Sequence, residues 1–294
     1  MHACEVDGVL VQLLDRVGHG PAQREQIRVW ARSGVERLTF PDGTTAVFKY
    51  AEGPFAEEDV ALGVAEDAGL PVPQRLAVAH VPGLLGMLLS DLGPSLRDAS
   101  DAEGAALAVR VHRVAATGPL PTLDGPRLAA MPDRVAARLT DVGVDVPEVV
   151  WALAKVADAR AEGSGLPPFG LCHSEWHPTS VHVGARGTHL LDFARAFRGP
   201  GLLDLASWHG TLDPPDPDRL AETLAAYVAA GGAQTVTSPR GGLSAARWAL
   251  GWHRLWAADW FAHQIALGWA QGAEDAWTSA INRHLTEAAD LLRA

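Results

Sequence analysis

Near the N-terminus the apolar positions Val9, Leu10, Leu13 and Leu14 recur at helical spacing, so residues 1–20 are expected to form a short amphipathic helix. The period then falls to two. Ile27, Val29 and Ala31 alternate with polar residues, Arg32-Ser33-Gly34 reads as a turn, and residues 35–40 alternate again. Pro41-Asp42-Gly43 is a hairpin turn into an apolar strand over 44–50. Helical patterns occupy 55–68, 102–114 and 149–161, and LLGMLLSDL at 84–92 is an apolar strand stopped by Gly93-Pro94. Residues 115–140, rich in Pro, Gly and Arg, read as a loop. Two short strands at 180–183 and 188–191 flank Gly184-Ala185-Arg186-Gly187 and predict a second hairpin. Beyond Trp208 the chain turns helical. Trp248, Trp252, Trp256 and Trp260 share one helical face, a stripe expected to be mainly core, the alternative being one wall of a cleft for an apolar or cationic ligand.

Composition narrows the class. With 294 residues, 48% hydrophobic and 20% charged, the chain has the material for one large or two modest globular domains. A net charge of −11 argues against nucleic acid and is compatible with a cationic ligand. No apolar run reaches membrane-spanning length and no basic-then-apolar leader opens the chain, so no membrane association is expected. Cys4 and Cys172, far apart in apolar surroundings, read as reduced thiols, which places the protein in a cytoplasm. Lys49 and Lys155 are the only lysines among 24 basic residues, and this Arg-, Ala- and Gly-rich usage resembles an actinobacterial composition. Oligomeric state leaves no mark in the sequence.

Candidate chemistry gathers around the second hairpin. His173, Glu175, His177 and Ser180 precede it and Asp192-Phe193 follows it, so Glu175 and Asp192 are expected to converge. Paired acids of this kind suit phosphoryl transfer, one orienting a hydroxyl and one holding a metal. A zinc reading of His173 and His177 fails: the order is not His-Glu-x-x-His, and Pro178 disfavours a continuing helix. Lys49 ends an apolar strand, either as a solvated strand end or as a phosphate-binding lysine oriented by an acid of the next helix. His112 reads as a structural residue at a helix end. Asp213, Asp216, Asp218 and Glu222, interrupted by prolines, read as a solvated loop and helix start.

The stretch 171–208 resembles the catalytic core of the aminoglycoside phosphotransferase (choline-kinase-like) family. That family's pattern is His-Gly-Asp-x-His-x-x-Asn, a hairpin, Asp-Phe or Asp-Trp, then Gly-Pro-x-x-x-Asp-Leu-Ala. His173, His177, Asp192, Gly199, Pro200, Asp204, Leu205 and Ala206 match, whereas Glu175 replaces the catalytic Asp and Ser180 the metal-binding Asn. The resemblance implies an α+β, two-lobed protein-kinase-like fold, with a small N-terminal β-sheet lobe over 1–90 and a larger, mainly helical C-terminal lobe over 91–294. It implies ATP and Mg²⁺ as cofactors. Lys49 would bind nucleotide phosphates beside Glu58, with Glu57 the alternative; Ser33 and Gly34 would cover them; and the backbone of Leu89, Ser90 and Asp91 would receive adenine. Asp192 and Ser180 would hold the metal, Glu175 with His173 and His177 would form the catalytic loop, and Asp204 would accept hydrogen bonds from it. Acids in the 213–222 region would meet substrate ammonium groups. The implied activity is phosphorylation of a hydroxyl on a small molecule, an antibiotic or a natural-product intermediate. The altered loop leaves two further readings: an impaired pseudokinase or scaffold, and a kinase for Ser or Thr of a precursor peptide.

Overall fold

The computed structural model describes residues 3–30, 32–115 and 118–293. Ala31 of the strand alternation, and Met1 and His2 of the expected first helix, lie outside the described residues. In chain order the elements begin with α1 (Ala3–Val17), β1 (Gln23–Val29), β2 (Ser33–Thr39), β3 (Thr45–Glu52), α2 (Glu58–Asp67), β4 (Arg75–Val81) and β5 (Leu84–Ser90). Next come α3 (Asp101–His112), α4 (Gly125–Ala129), α5 (Met131–Asp141), α6 (Glu148–Ala161) and β6 (Phe169–Cys172). The hairpin strands β7 (Val181–Gly184) and β8 (Gly187–Leu190) precede β9 (Phe197–Pro200), α7 (Leu202–Ser207), α8 (Pro217–Ala229), α9 (Ala245–Ala266) and α10 (Glu274–Leu292). These elements make up two compact units. The described residues of Met1–Ala99, Thr117–Leu120 and Pro178–Ala196 form one, and those of Ser100–Ala116, Pro121–His177 and Phe197–Ala294 the other.

The first unit is built on an antiparallel sheet of order β1-β2-β3-β5-β4. The continuous apolar run of β5 follows from its place: it pairs with β3 on one side and β4 on the other, and only Ser90 is not fully buried. The apolar stripe of α1 packs Val6, Val9, Leu10, Leu13 and Leu14 with Leu38, Phe48 and Leu88 of the sheet. Gly86 makes that approach possible, because a Cβ there would lie 2.2 Å from Val9 Cγ1. β1 departs from expectation. Its alternation suggested one buried face, yet all seven residues are exposed, and the core packed under α1 takes residues from β2, β3, β4 and β5 but none from β1.

The second unit is mainly helical. Ser100 and Glu103 close a reciprocal capping box that starts α3. The loop expected over 115–140 is corrected by α4 and α5. Asp124 accepts the Arg127 N–H at 3.1 Å, Pro126 occupies the first turn, and α5 buries Met131, Val135 and Leu139 at four-residue spacing. Proline here marks a helix start, which composition alone disguises as a loop. Trp248 and Trp252 of α9 are fully buried and donate their indole N–H groups to the Arg160 carbonyl at 2.6 and 3.2 Å. Trp256 and Trp260 farther along are half-buried. The stripe is thus core at its start.

Candidate functional site

The apolar face of β3 carries Ala46, Phe48 and Tyr50 inward, which leaves Lys49 on the opposite face of the strand. There its ammonium donates to Glu58 Oε1 at 2.7 Å and to Asp192 Oδ1 at 2.8 Å. Glu58 stands in the first turn of α2, and its Oε1 also accepts the Phe193 N–H at 3.1 Å. The two carboxylates differ in surroundings: the Glu58 side chain is 3% exposed and that of Asp192 is 41% exposed. Burial pushes the Glu58 carboxyl up to about 7 against the pull of Lys49. Desolvation works against the Lys49 ammonium, but Asp192 and Glu58 outweigh it and raise its pKa, so the lysine stays charged. Asp192 itself has φ 70°, a left-handed backbone that an L-residue adopts at a cost of about 1 kcal/mol or more.

These three residues border a cavity of about 530 Å³. Leu89, Ser90 and Asp91 line it too, so six of the residues singled out from sequence meet at one cavity. Ser33 and Gly34 are not among its lining residues. The turn expected at them lies earlier: the Trp30 N–H closes on the Ser33 carbonyl at 2.8 Å, and Ser33 and Gly34 already pair with Ala51 and Tyr50 in the sheet. Gly34 is required there by packing, because a Cβ would come within 2.3 Å of the Tyr50 ring. Ile27, Arg28, Trp30, Val35 and Arg37 are the residues of β1, β2 and their connection that reach the cavity instead. Ser180 ends a single 3₁₀ turn, is buried, and accepts the Leu191 N–H on its carbonyl at 2.9 Å. Its neighbours Pro178, Thr179, Val181 and His182 form the wall.

Three lining or supporting residues escaped the sequence reading. Arg37 holds the Asp91 carboxylate at 2.7 Å, and that carboxylate also accepts the Gly93 N–H at 2.8 Å. Arg186 donates to the Asp91 carbonyl at 2.9 Å. His182 stands opposite His189 in the hairpin and is kept below the ordinary imidazole range by burial first and by His189 second. A polar residue in an otherwise apolar strand was the available signal for His182; nothing local marks the two arginines.

The second unit contains the loop that carries Glu175. Asp204, wholly buried in α7, accepts the N–H of His173 on Oδ2 and that of Ser174 on Oδ1, each at 2.7 Å. His112 adds a bond to Asp204 Oδ2 at 3.2 Å and meets the Tyr227 hydroxyl at 3.3 Å, which makes it a structural residue. Ser174 has φ 78°, so Asp204 holds a strained backbone immediately before Glu175. His173 is buried, whereas Glu175 and His177 are partly exposed. Asp213, Asp216, Asp218 and Glu222 are exposed, and Asp216 caps α8, accepting the Asp218 and Arg219 N–H groups at 3.0 Å.

The family model of the phosphotransferase enzyme family, APH, matches residues 31–240. The chain belongs to that family. It is therefore a phosphotransferase-family enzyme of the kind that transfers to alcohol groups. Solved structures share the fold. Macrolide 2′-phosphotransferase from Brachybacterium faecium is 20% identical with a TM-score of 0.61, over 93% of this chain and 97% of that one. A choline/ethanolamine kinase family protein from Mesorhizobium loti is 19% identical with a TM-score of 0.61, over 98% and 99%. Amicoumacin kinase, solved with AMP-PNP and Ca²⁺, is 10% identical with a TM-score of 0.58, over 98% and 96%. None of the curated proteins matches the chain. The kinase-like α+β fold expected from 171–208 is the one these neighbours have, and no described helix is long and apolar enough to cross a membrane.

Proposed function

We propose that this enzyme uses ATP with a divalent metal, Mg²⁺, to phosphorylate a hydroxyl of a small molecule of the antibiotic or natural-product type. The observation that carries the reading is the Lys49–Glu58–Asp192 cluster at one cavity behind the apolar strand β5. An ammonium locked between two carboxylates is pre-set to meet phosphate oxygens without a search of rotamers. The neighbour bound to AMP-PNP and Ca²⁺ supports nucleotide and divalent-metal use, and the macrolide and amicoumacin kinases support a natural-product acceptor.

The donor set tests the metal. Among the described residues no group of three His, Cys, Asp or Glu side chains could hold an ion by itself. Asp192, with its partly exposed carboxylate, fits as one hard oxygen ligand of a magnesium ion whose other donors are phosphate oxygens, water and the hydroxyl of Ser180 or Thr179. A bound ion would supply neutralisation of phosphate charge. The chain's own part is positional: Lys49 binds phosphate, Glu58 orients Lys49, and Asp204 fixes the loop from which Glu175, beside His173 and His177, orients the acceptor hydroxyl.

Calorimetric titration with ATP and with AMP-PNP, each with and without Mg²⁺, tests the reading. Binding that needs the metal and is lost in Asp192→Asn is expected. Metal-independent binding untouched by Asp192→Asn would leave a pseudokinase, and no binding at all would refute the nucleotide site.

A further inference from the structure

A second cavity, of about 570 Å³, lies wholly within the second unit, and its size suits a small organic ligand. Pro167, Pro168 and Phe169, leading into β6, give it flat apolar walls, and the Arg198 guanidinium lies 4.8 Å over the Phe169 ring. These walls are fixed from behind. Arg240, 1% exposed, donates to the carbonyls of Gly163, Leu166 and Pro167 at 2.9, 3.0 and 2.8 Å. The Thr235 hydroxyl adds a bond to the Pro167 carbonyl at 2.8 Å. A ligand therefore meets a pre-formed surface and spends little on ordering it.

The polar lining comes from His112 and Arg113 at the end of α3 and from Tyr227 of α8. The Asp204 carboxylate only accepts, so His112 Nε2 carries a proton toward it at 3.2 Å. Nδ1 of the neutral ring then accepts the Tyr227 hydroxyl at 3.3 Å, a long bond that a better acceptor can replace. His112 and Tyr227 are 5% and 2% exposed, so a bond made at this floor is shielded from bulk water. Arg113 gives Nη2 to the Gly231 carbonyl at 2.7 Å and pairs with no carboxylate among the described residues. It brings a positive charge to a lining that holds no acid, which favours an anion.

We propose that this cavity is a second ligand site, for a small aromatic carboxylate, read out at the loop of Glu175 through His112 and Asp204. The ring lies on the Pro167–Phe169 wall, and the carboxylate takes the Tyr227 hydroxyl beside the Arg113 guanidinium. Binding draws that hydroxyl away from His112 Nδ1. The change passes to Asp204, whose two oxygens accept the His173 and Ser174 N–H groups at 2.7 Å. Neither residue of the Lys49 cavity nor any nucleotide enters this chain of contacts, so the site stands or falls apart from the nucleotide reading.

Benzoate and its uncharged counterpart benzamide, titrated into ¹⁵N-labelled protein and followed by amide NMR, test the proposal. Benzoate should shift the Gly231 and Gly232 amides at the cavity rim saturably, and the His173 and Ser174 amides with the same midpoint. Benzamide should bind about two- to fivefold more weakly, the discrimination an exposed guanidinium supplies. Arg113→Gln should erase that preference. Tyr227→Phe, which keeps the ring and removes the hydroxyl, should still show shifts at Gly231 and Gly232 but none at His173 and Ser174. No saturable shift at Gly231 and Gly232 overturns the site. Equal affinity for the two probes overturns the anion assignment. Shifts at the rim with His173 and Ser174 unmoved in wild type overturn the link to the loop.

Discussion

Replacing Glu58 by Gln isolates the electrostatics of the lysine cluster. Glu58 is buried, takes Lys49 Nζ at 2.7 Å, and has its carboxyl lifted by burial from 4.5 to about 7. A carboxyl raised in the folded state keeps a proton that the unfolded chain has already released. The resulting stability is fully present below pH 4.5 and is lost as pH rises to about 7. At about 1.4 kcal/mol per pH unit, the loss across that window is about 3 kcal/mol. Glutamine keeps the shape and the carbonyl that Lys49 meets, but it does not titrate. The stability of wild type minus that of Glu58→Gln should therefore fall by about 3 kcal/mol between pH 4.5 and 7 and then level off. Groups elsewhere titrate in both proteins and cancel. Urea unfolding followed over pH 4 to 8 supplies the difference curve. A flat curve refutes the burial argument. A rising one reverses it, since Lys49 would then be holding Glu58 below its ordinary range.

Asp204→Ala leaves the His173 and Ser174 N–H groups buried without their acceptor, and should cost about 3 kcal/mol or more; thermal unfolding measures it, and Asp204→Asn should lose less. Gly86→Ala forces a methyl against Val9 and should destabilise by about 1–3 kcal/mol, with part recovered in the Val9→Ala double variant. Glu175→Asp draws the carboxylate back by one methylene from the position proposed to orient the acceptor hydroxyl. It should cut turnover by on the order of a hundredfold while the nucleotide dissociation constant stays unchanged, as kinetics alongside calorimetry would show.

That Lys49, Glu58 and Asp192 would meet in the candidate site was legible because each is marked locally. Lys49 closes an apolar strand, Glu58 opens the next helix, and Asp192 follows a hairpin whose apolar strands need no tertiary information to be seen. Asp204 was legible through the motif Gly199-Pro200 to Ala206, and it makes the backbone bonds assigned to it. Ser33 and Gly34 misled, because a turn and the first residues of a strand share the same composition, and only the pairing with Ala51 and Tyr50 tells them apart. Residues 115–140 misled for a related reason: Pro and Gly frequency does not distinguish a loop from the capped start of a helix.

The sequence by itself determined the motif and the strongest periods: that 84–90 is an apolar strand, that 102–114 and 149–161 are helical, and that 171–208 carries the residues of a phosphotransferase. Both are properties of near neighbours in the chain, where backbone sterics and side-chain spacing act directly. Tertiary structure decided the partnerships. Lys49 and Asp192 are 143 residues apart, Glu58 and Phe193 are 135 apart, and Arg186 reaches back 95 residues to Asp91. No local preference encodes such pairs. They form because packing brings Pro178–Ala196 into one compact unit with the N-terminal sheet, and buried polar groups then take the partners that unit supplies.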